Sequence, residues 1–230
     1  MENKITLYHG SQDIIEKPFF GGGRKNNDFG LGFYCTENKD LAKEWAVSSL
    51  RDGFCNKYAL NTEHLNILNL NTVEYSILNW IAVLVNHRLF TSNTPIERRA
   101  KKYLINNFYI NVNAYDVIIG YRADDSYFDY AQSFIQNAIS LDQLSKAMYL
   151  GKLGEQIVIK SEFAFSNLKY EGNEVAKSEE YFTLRNNRNK EANQYYLKML
   201  EEDSDGLFIQ DIIRGGITND DPRIPRNLCK

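Results

Sequence analysis

Histidine and cysteine are both rare in this 230-residue chain (3 of each), and proline is nearly so (4). Cys35, Cys55 and Cys229 are odd in number and form no C-x-x-C pair. That argues against a disulfide framework or a cysteine-built zinc site and favours a reducing compartment. Long apolar runs are missing as well. The most hydrophobic stretch, Ile77 to Val85, contains Asn79 and ends at Asn86-His87-Arg88, well short of the roughly 20 residues of a membrane span. Met1 to Thr6 lacks the apolar core of a signal peptide, so a cytoplasmic protein with no membrane partner is expected. A formal net charge of −3 gives no global basic field that would argue for nucleic acid. Common motifs fail too. Gly21-x-Gly23 continues to Asn26 and Gly30-x-Gly32 to Cys35, so neither completes G-x-G-x-x-G, and Walker A, G-x-S-x-G and H-E-x-x-H are absent. Asp28-Phe29-Gly30 matches a kinase metal motif in letters alone, because no His-Arg-Asp loop precedes it.

What the chain does have is aromatics, 15 Tyr and 13 Phe, too many for a disordered polypeptide. Its length suits one domain with insertions. Residues 4–9 alternate loosely and read as a strand that delivers His9 at its end. Pro18 to Asn27 is a loop with a Gly21-Gly22-Gly23 tract, either a lid whose Arg24 and Lys25 meet a pyrophosphate or a solvated surface loop. Then comes the stretch with the strongest pattern, Asp28-Phe29-Gly30-Leu31-Gly32-Phe33-Tyr34-Cys35-Thr36. Its glycines let backbone approach a ligand, and its end is β-prone. A helix over 38–51 follows, capped by Thr36, Glu37 or Asn38, with Leu41, Ala42, Trp45 and Ala46 on one side. Tyr34 and Trp45 then flank a strand-to-helix turn and can hold a flat group between their rings.

Further along, 57–60 and 65–70 read as strands, and 72–91 and 95–107 as helices, with Pro95 in a first turn and Trp80 in the core. Tyr115 to Tyr121 is a buried-strand run. Ala123 to Ala138 reads as a helix with acidic residues at its start, 141–149 as a helix capped by Ser140, and 156–160 as a strand. Phe163 to Tyr170 reads as turn and strand, 175–202 as a charged helix, and Gly206 to Ile209 as a small added strand.

His9-Gly10-Ser11, then Phe29-Gly30-Leu31-Gly32-Phe33-Tyr34, then Trp45, together resemble the NAD-binding half of the ADP-ribosyltransferases, in the His-Tyr-Glu branch of diphtheria toxin and the poly(ADP-ribose) polymerases. Closer still is the likeness to an uncharacterised bacterial family with such a core, carried also by Ala123-Asp124-Asp125 and Glu155-Gln156-Ile157-Val158-Ile159. The resemblance implies an α+β fold of split antiparallel and mixed sheets around an NAD cleft. Residues 1–172 would form that domain, with 72–107 as a helical insertion, and 173–230 a helical extension packed on it. It implies NAD as substrate and transfer of ADP-ribose to a protein or nucleic acid, in a bacterial toxin or effector with a cognate antitoxin or inhibitor. It places His9 on a ribose, Gly10 on the carboxamide, and Tyr34 and Trp45 on either side of the nicotinamide, with Ser11, Gly32, Phe33 and Thr36 around them.

The third catalytic position departs from that branch. Glu155 fills it in one register and Gln156 in the other, and alternation along a strand lets only one face the site. The closer family carries Gln there, which favours Gln156. Glutamine orients a sugar hydroxyl but is no base at neutral pH, so Asp124-Asp125 is a candidate for that task and equally a helix N-cap pair. An NAD glycohydrolase, an NAD-binding module without turnover and a purely structural protein are the competing expectations.

Overall fold

The computed structural model describes residues 3–90, 92–123, 125–150, 154–201 and 206–227; for Asp125, Ser126, Tyr149 and Leu150 only the backbone is described. Two sheets organise the chain. The first is antiparallel, in the order β1 (Lys4–Ser11), β3 (Gly53–Asn61), β7 (Leu168–Ala176). The second runs β2 (Phe33–Cys35), β6 (Glu155–Ile159), β5 (Val117–Tyr121), β4 (Ile67–Asn69), with β4 and β5 parallel and the other pairs antiparallel. This is an α+β architecture of one antiparallel and one mixed sheet. Leu7, Cys35, Tyr58, Leu60, Val117, Ile157 and Ile159 form the apolar layer they share. Tyr8 and Thr36 also exchange backbone hydrogen bonds (2.8 and 2.9 Å), joining β1 to the end of β2.

The helices form where local chemistry starts and stops them. In α1 (Lys39–Ala46) the Asn38 side chain accepts from Leu41 N at 3.0 Å, which selects Asn38 among the three candidate caps. That helix ends at extended Val47, earlier than position 51. The apolar run expected to start at 72 becomes α2 (Ile77–His87), and its interior Asn79 is satisfied: Oδ1 accepts from Ser76 N at 2.8 Å and Nδ2 donates to Phe108 O at 2.9 Å. In α3 (Pro95–Phe108), Thr94 and Glu97 cap each other reciprocally. Trp80 is buried and donates to Tyr121 O at 2.9 Å, a core residue as its spacing predicts. Helices α2 and α3 pack with α4 (Asp125–Ile135) and α5 (Leu141–Leu150) in a large helical core. No described helix is long and apolar enough to cross a membrane.

Three assignments change. Residues 162–166 form a one-turn helix, α6 (Glu162–Ser166), because Ser161 Oγ caps Ala164 N at 3.0 Å before β7 begins. Residues 175 and 176 belong to β7, so α7 (Ser178–Leu200) starts later and a boundary at 172/173 falls inside a paired strand. The strand expected over Gly206 to Ile209 does not form: residues 206–208 are irregular and Ile209 opens helix α8 (Ile209–Arg214). An apolar triplet does not distinguish the two periods, and Ile209 and Ile212 bury one helical face.

Candidate functional site

Where the two sheets meet α1 there is a cleft of about 560 Å³, a volume within the range of small-molecule sites. His9 and Gly10 from the end of β1, Gly32, Phe33 and Tyr34 from the motif, Trp45 from α1 and Gln156 from β6 all line it. Residues spread over the length of the two sheets are thus gathered on one surface. The loop before the motif adds Lys17, Phe19 and Gly21 to Gly23, so it forms one wall of the cleft.

The motif is pinned from below. Gly30 has φ +77°, a left-handed conformation, and a Cβ there would press on the His87 ring at 2.7 Å. The Tyr34 hydroxyl donates to Gly30 O (2.6 Å) and accepts from Phe29 N (3.0 Å), while buried Lys160 donates to Phe29 O (2.6 Å). Burial pulls the Lys160 ammonium down to about 8 and pushes the Tyr34 phenol up, so the phenol remains a donor. Glycine is therefore required at position 30 by backbone conformation rather than by approach of a ligand.

His9 Nδ1 lies 2.7 Å from Tyr34 O, and its ring stacks on Phe33 with centroids 4.3 Å apart. A carbonyl oxygen only accepts, so Nδ1 carries a proton, and in the neutral ring Nε2 is an acceptor. Burial lowers the His9 pKa below its ordinary 6.5, and the bond to Tyr34 O partly opposes this. The unfolded chain takes up that proton below 6.5 while the folded ring stays neutral. The stabilisation from His9 is therefore full above pH 6.5 and declines as pH falls toward the lower folded value. Burial lowers His87 in the same sense, and burial raises Asp28 from 3.8, which acts with opposite sign, losing stability as pH rises through its folded value. Thermal melts from neutral to mildly acidic pH should show the decline, and the difference between wild type and His9→Ala isolates the part due to His9.

Asp28 is 7 % exposed and also lines the cleft. Its Oδ1 accepts from Arg88 Nη1 at 3.1 Å, and its Oδ2 accepts from Gln156 Nε2 at 2.7 Å and Ala123 N at 2.8 Å. Gln156 Nε2 donates as well to Tyr121 O at 3.1 Å. The Arg122 guanidinium lies over the Trp45 ring at 4.5 Å, and buried Trp45 Nε1 has no hydrogen-bond partner among the described residues. A flat ligand group would have to replace Arg122 on that face. Among the described residues, Lys17, Arg88 and Arg122 are the cations of the lining and Asp28 its carboxylate.

Several expected residues lie off the cleft. Thr36 is 2 % exposed and serves the β1–β2 junction, its Oγ1 accepting from Asn38 N. The Ser11 hydroxyl is held by Asn56 Nδ2 at 3.0 Å and by Asp13 O. Arg24 is exposed on the outside of the loop, and Lys17 is the loop cation that lines the cavity. Glu155 is outside the lining while its neighbour Gln156, 3 % exposed, is inside it, because adjacent strand residues point to opposite faces. Asp124 lies outside the described residues, as does Cys229, and the side chain of Asp125 is not described. Arg88, Lys17, Phe19 and Phe165 reach the cleft with no sequence signal, whereas Asp28 stood inside the motif without an assigned role.

The fold and the cleft define an α+β protein with a polar, aromatic-walled pocket at the seam of two small sheets. Over residues 5–170 the chain matches the family described as Protein of unknown function (DUF3990), and it belongs to that family. No curated protein and no solved structure matches it.

Proposed function

We propose that the protein cleaves NAD at the nicotinamide–ribose bond and transfers ADP-ribose to a macromolecular acceptor, a protein or a nucleic acid. The observation that carries this reading is the convergence of His9, Tyr34, Trp45 and Gln156, the residues singled out by the ADP-ribosyltransferase resemblance, on one cleft. The cleft's chemistry also suits the substrate. Lys17 and Arg122 supply positive charge for a pyrophosphate, and His9 Nε2 supplies an acceptor for a ribose hydroxyl. Breaking the bond generates an oxocarbenium-like sugar, so donors and acceptors that fix the ribose hydroxyls contribute in the transition state.

A second reading, NAD glycohydrolase, is favoured by one detail. Among the described residues the carboxylate of the lining is Asp28, which already accepts three hydrogen bonds and is poorly placed to deprotonate an acceptor. Water can capture the cation without such a base.

Two measurements on the intact chain test the reading. Titration with NAD should change tryptophan emission as Arg122 leaves the Trp45 face, and Trp45→Phe should remove the change while buried Trp80 stays silent. Labelled NAD, incubated with and without cell lysate, should yield free nicotinamide, with label on a macromolecule if transfer operates and none if hydrolysis does. Absence of both the emission change and nicotinamide release would sink the assignment.

A further inference from the structure

The amide of Gln156 has a defined orientation, and the cause is another side chain. One terminal atom of that amide sits 2.7 Å from Asp28 Oδ2 and 3.1 Å from Tyr121 O. Tyr121 O can only accept, and Asp28 Oδ2 already accepts from Ala123 N, so this atom is nitrogen and both its hydrogens are used inside the protein. The remaining terminal atom, Oε1, is therefore left as an acceptor on a residue that lines the cleft. Turning the amide over would set Oε1 against a carboxylate and a carbonyl, leaving two acceptors without their donor.

We infer that Asp28 is the positioning residue of this site: held by Arg88 and Ala123 N, it locks Gln156 with its carbonyl oxygen toward the ligand. The consequence for recognition is a requirement for a donor. A ligand hydroxyl satisfies Oε1, whereas an ether or carbonyl at the same place meets an acceptor with an acceptor. With NAD as substrate that donor is a ribose hydroxyl, and this part rests on the function proposed above. Glutamine then makes the same hydrogen bond that a carboxylate would make to that hydroxyl, without a negative charge on the residue itself.

Asparagine at position 28 cannot serve all three donors. If its oxygen faces Gln156 and Ala123, its NH2 faces Arg88. If its NH2 faces Gln156, that amide is driven to turn over. Asp28→Asn should therefore lower the kcat for nicotinamide release by about 100-fold with a much smaller change in KM. In Gln156→Glu two carboxyls face each other and share a proton, so activity should be present at low pH and decline as the pair ionises.

A readout independent of NAD accompanies these rates. The Gln156 side-chain NH2 resonances, assigned by their disappearance in Gln156→Glu, should be protected from solvent exchange in the wild-type protein and lose that protection in Asp28→Asn. Unchanged protection in Asp28→Asn, or a kcat for that variant equal to wild type, overturns the inference. Protection that behaves as stated in a protein that releases no nicotinamide supports the lock and overturns only the proposed activity.

Discussion

Replacing His9 by alanine should lower nicotinamide release from NAD by about 100-fold or more while the fold persists. The variant removes the Nε2 acceptor from the cleft and one hydrogen bond, from Nδ1 to Tyr34 O. The lost hydrogen bond costs about 1 kcal/mol and the lost ring contact with Phe33 about as much again, too little to unfold the chain. Far-ultraviolet circular dichroism and the thermal midpoint should therefore stay close to wild type while the rate collapses. Tyr34→Ala should lose activity as completely but is the less clean probe. Its hydroxyl clamps Phe29 N and Gly30 O, so the variant loosens the motif as well as removing a ring. Tyr34→Phe keeps the ring and removes only the clamp, which separates the two contributions. Release at the wild-type rate from both His9→Ala and Tyr34→Ala would end the enzymatic assignment.

The largest effect on stability is expected at Gly10. A Cβ there would lie 1.9 Å from Ala42 O and 2.8 Å from Ala46 N, both backbone atoms of α1. Backbone held by a helical hydrogen-bond ladder cannot step aside, so Gly10→Ala must push α1 off β1. The expected loss is about 4 kcal/mol or more, seen as a collapse of the thermal midpoint or as insoluble protein. Gly22→Ala is the contrasting variant. Its Cβ would meet only the ring of Phe19, which is 72 % exposed and free to turn, so the cost should be less than about 1 kcal/mol. The resemblance gives Gly10 a role in holding a carboxamide. Its packing against α1 requires glycine whether or not a ligand binds, and a near-normal midpoint for Gly10→Ala would refute that account.

These two residues show what local sequence conveys and where it stops. The pattern from Asp28 to Thr36 and the spacing in α1 carried enough information to bring Tyr34 and Trp45 to one place, because they lie close along the chain. The choice between Glu155 and Gln156 depended on strand register, and the pairing of Gln156 with Gly120 is a long-range fact that no local spacing encodes. Arg88 comes to Asp28 from the end of α2, sixty positions away, by the docking of a helical hairpin whose path no short motif records. Thr36 and Ser11 lie outside the cleft lining for a related reason: small hydroxyl residues serve a backbone junction or a turn as readily as a ligand, and only tertiary neighbours decide. The helix α8 was missed because three apolar residues in a row carry neither a two-residue nor a 3.6-residue rhythm.

The ion pair between α1 and α7 bears on how this protein should be cut for expression. Glu44, 3 % exposed and adjacent in sequence to Trp45, is gripped at both carboxylate oxygens by Arg188, at 2.6 and 3.1 Å. Arg188 lies beyond residue 170, where the family match stops, and most of β7 lies beyond it too. A fragment trimmed at that point would strand an anion beneath the pocket wall, a penalty of about 3 kcal/mol, and strip β3 of most of its outer neighbour. The segment that defines kinship is thus shorter than the segment that folds, and β7 and α7 belong to the scaffold of the site.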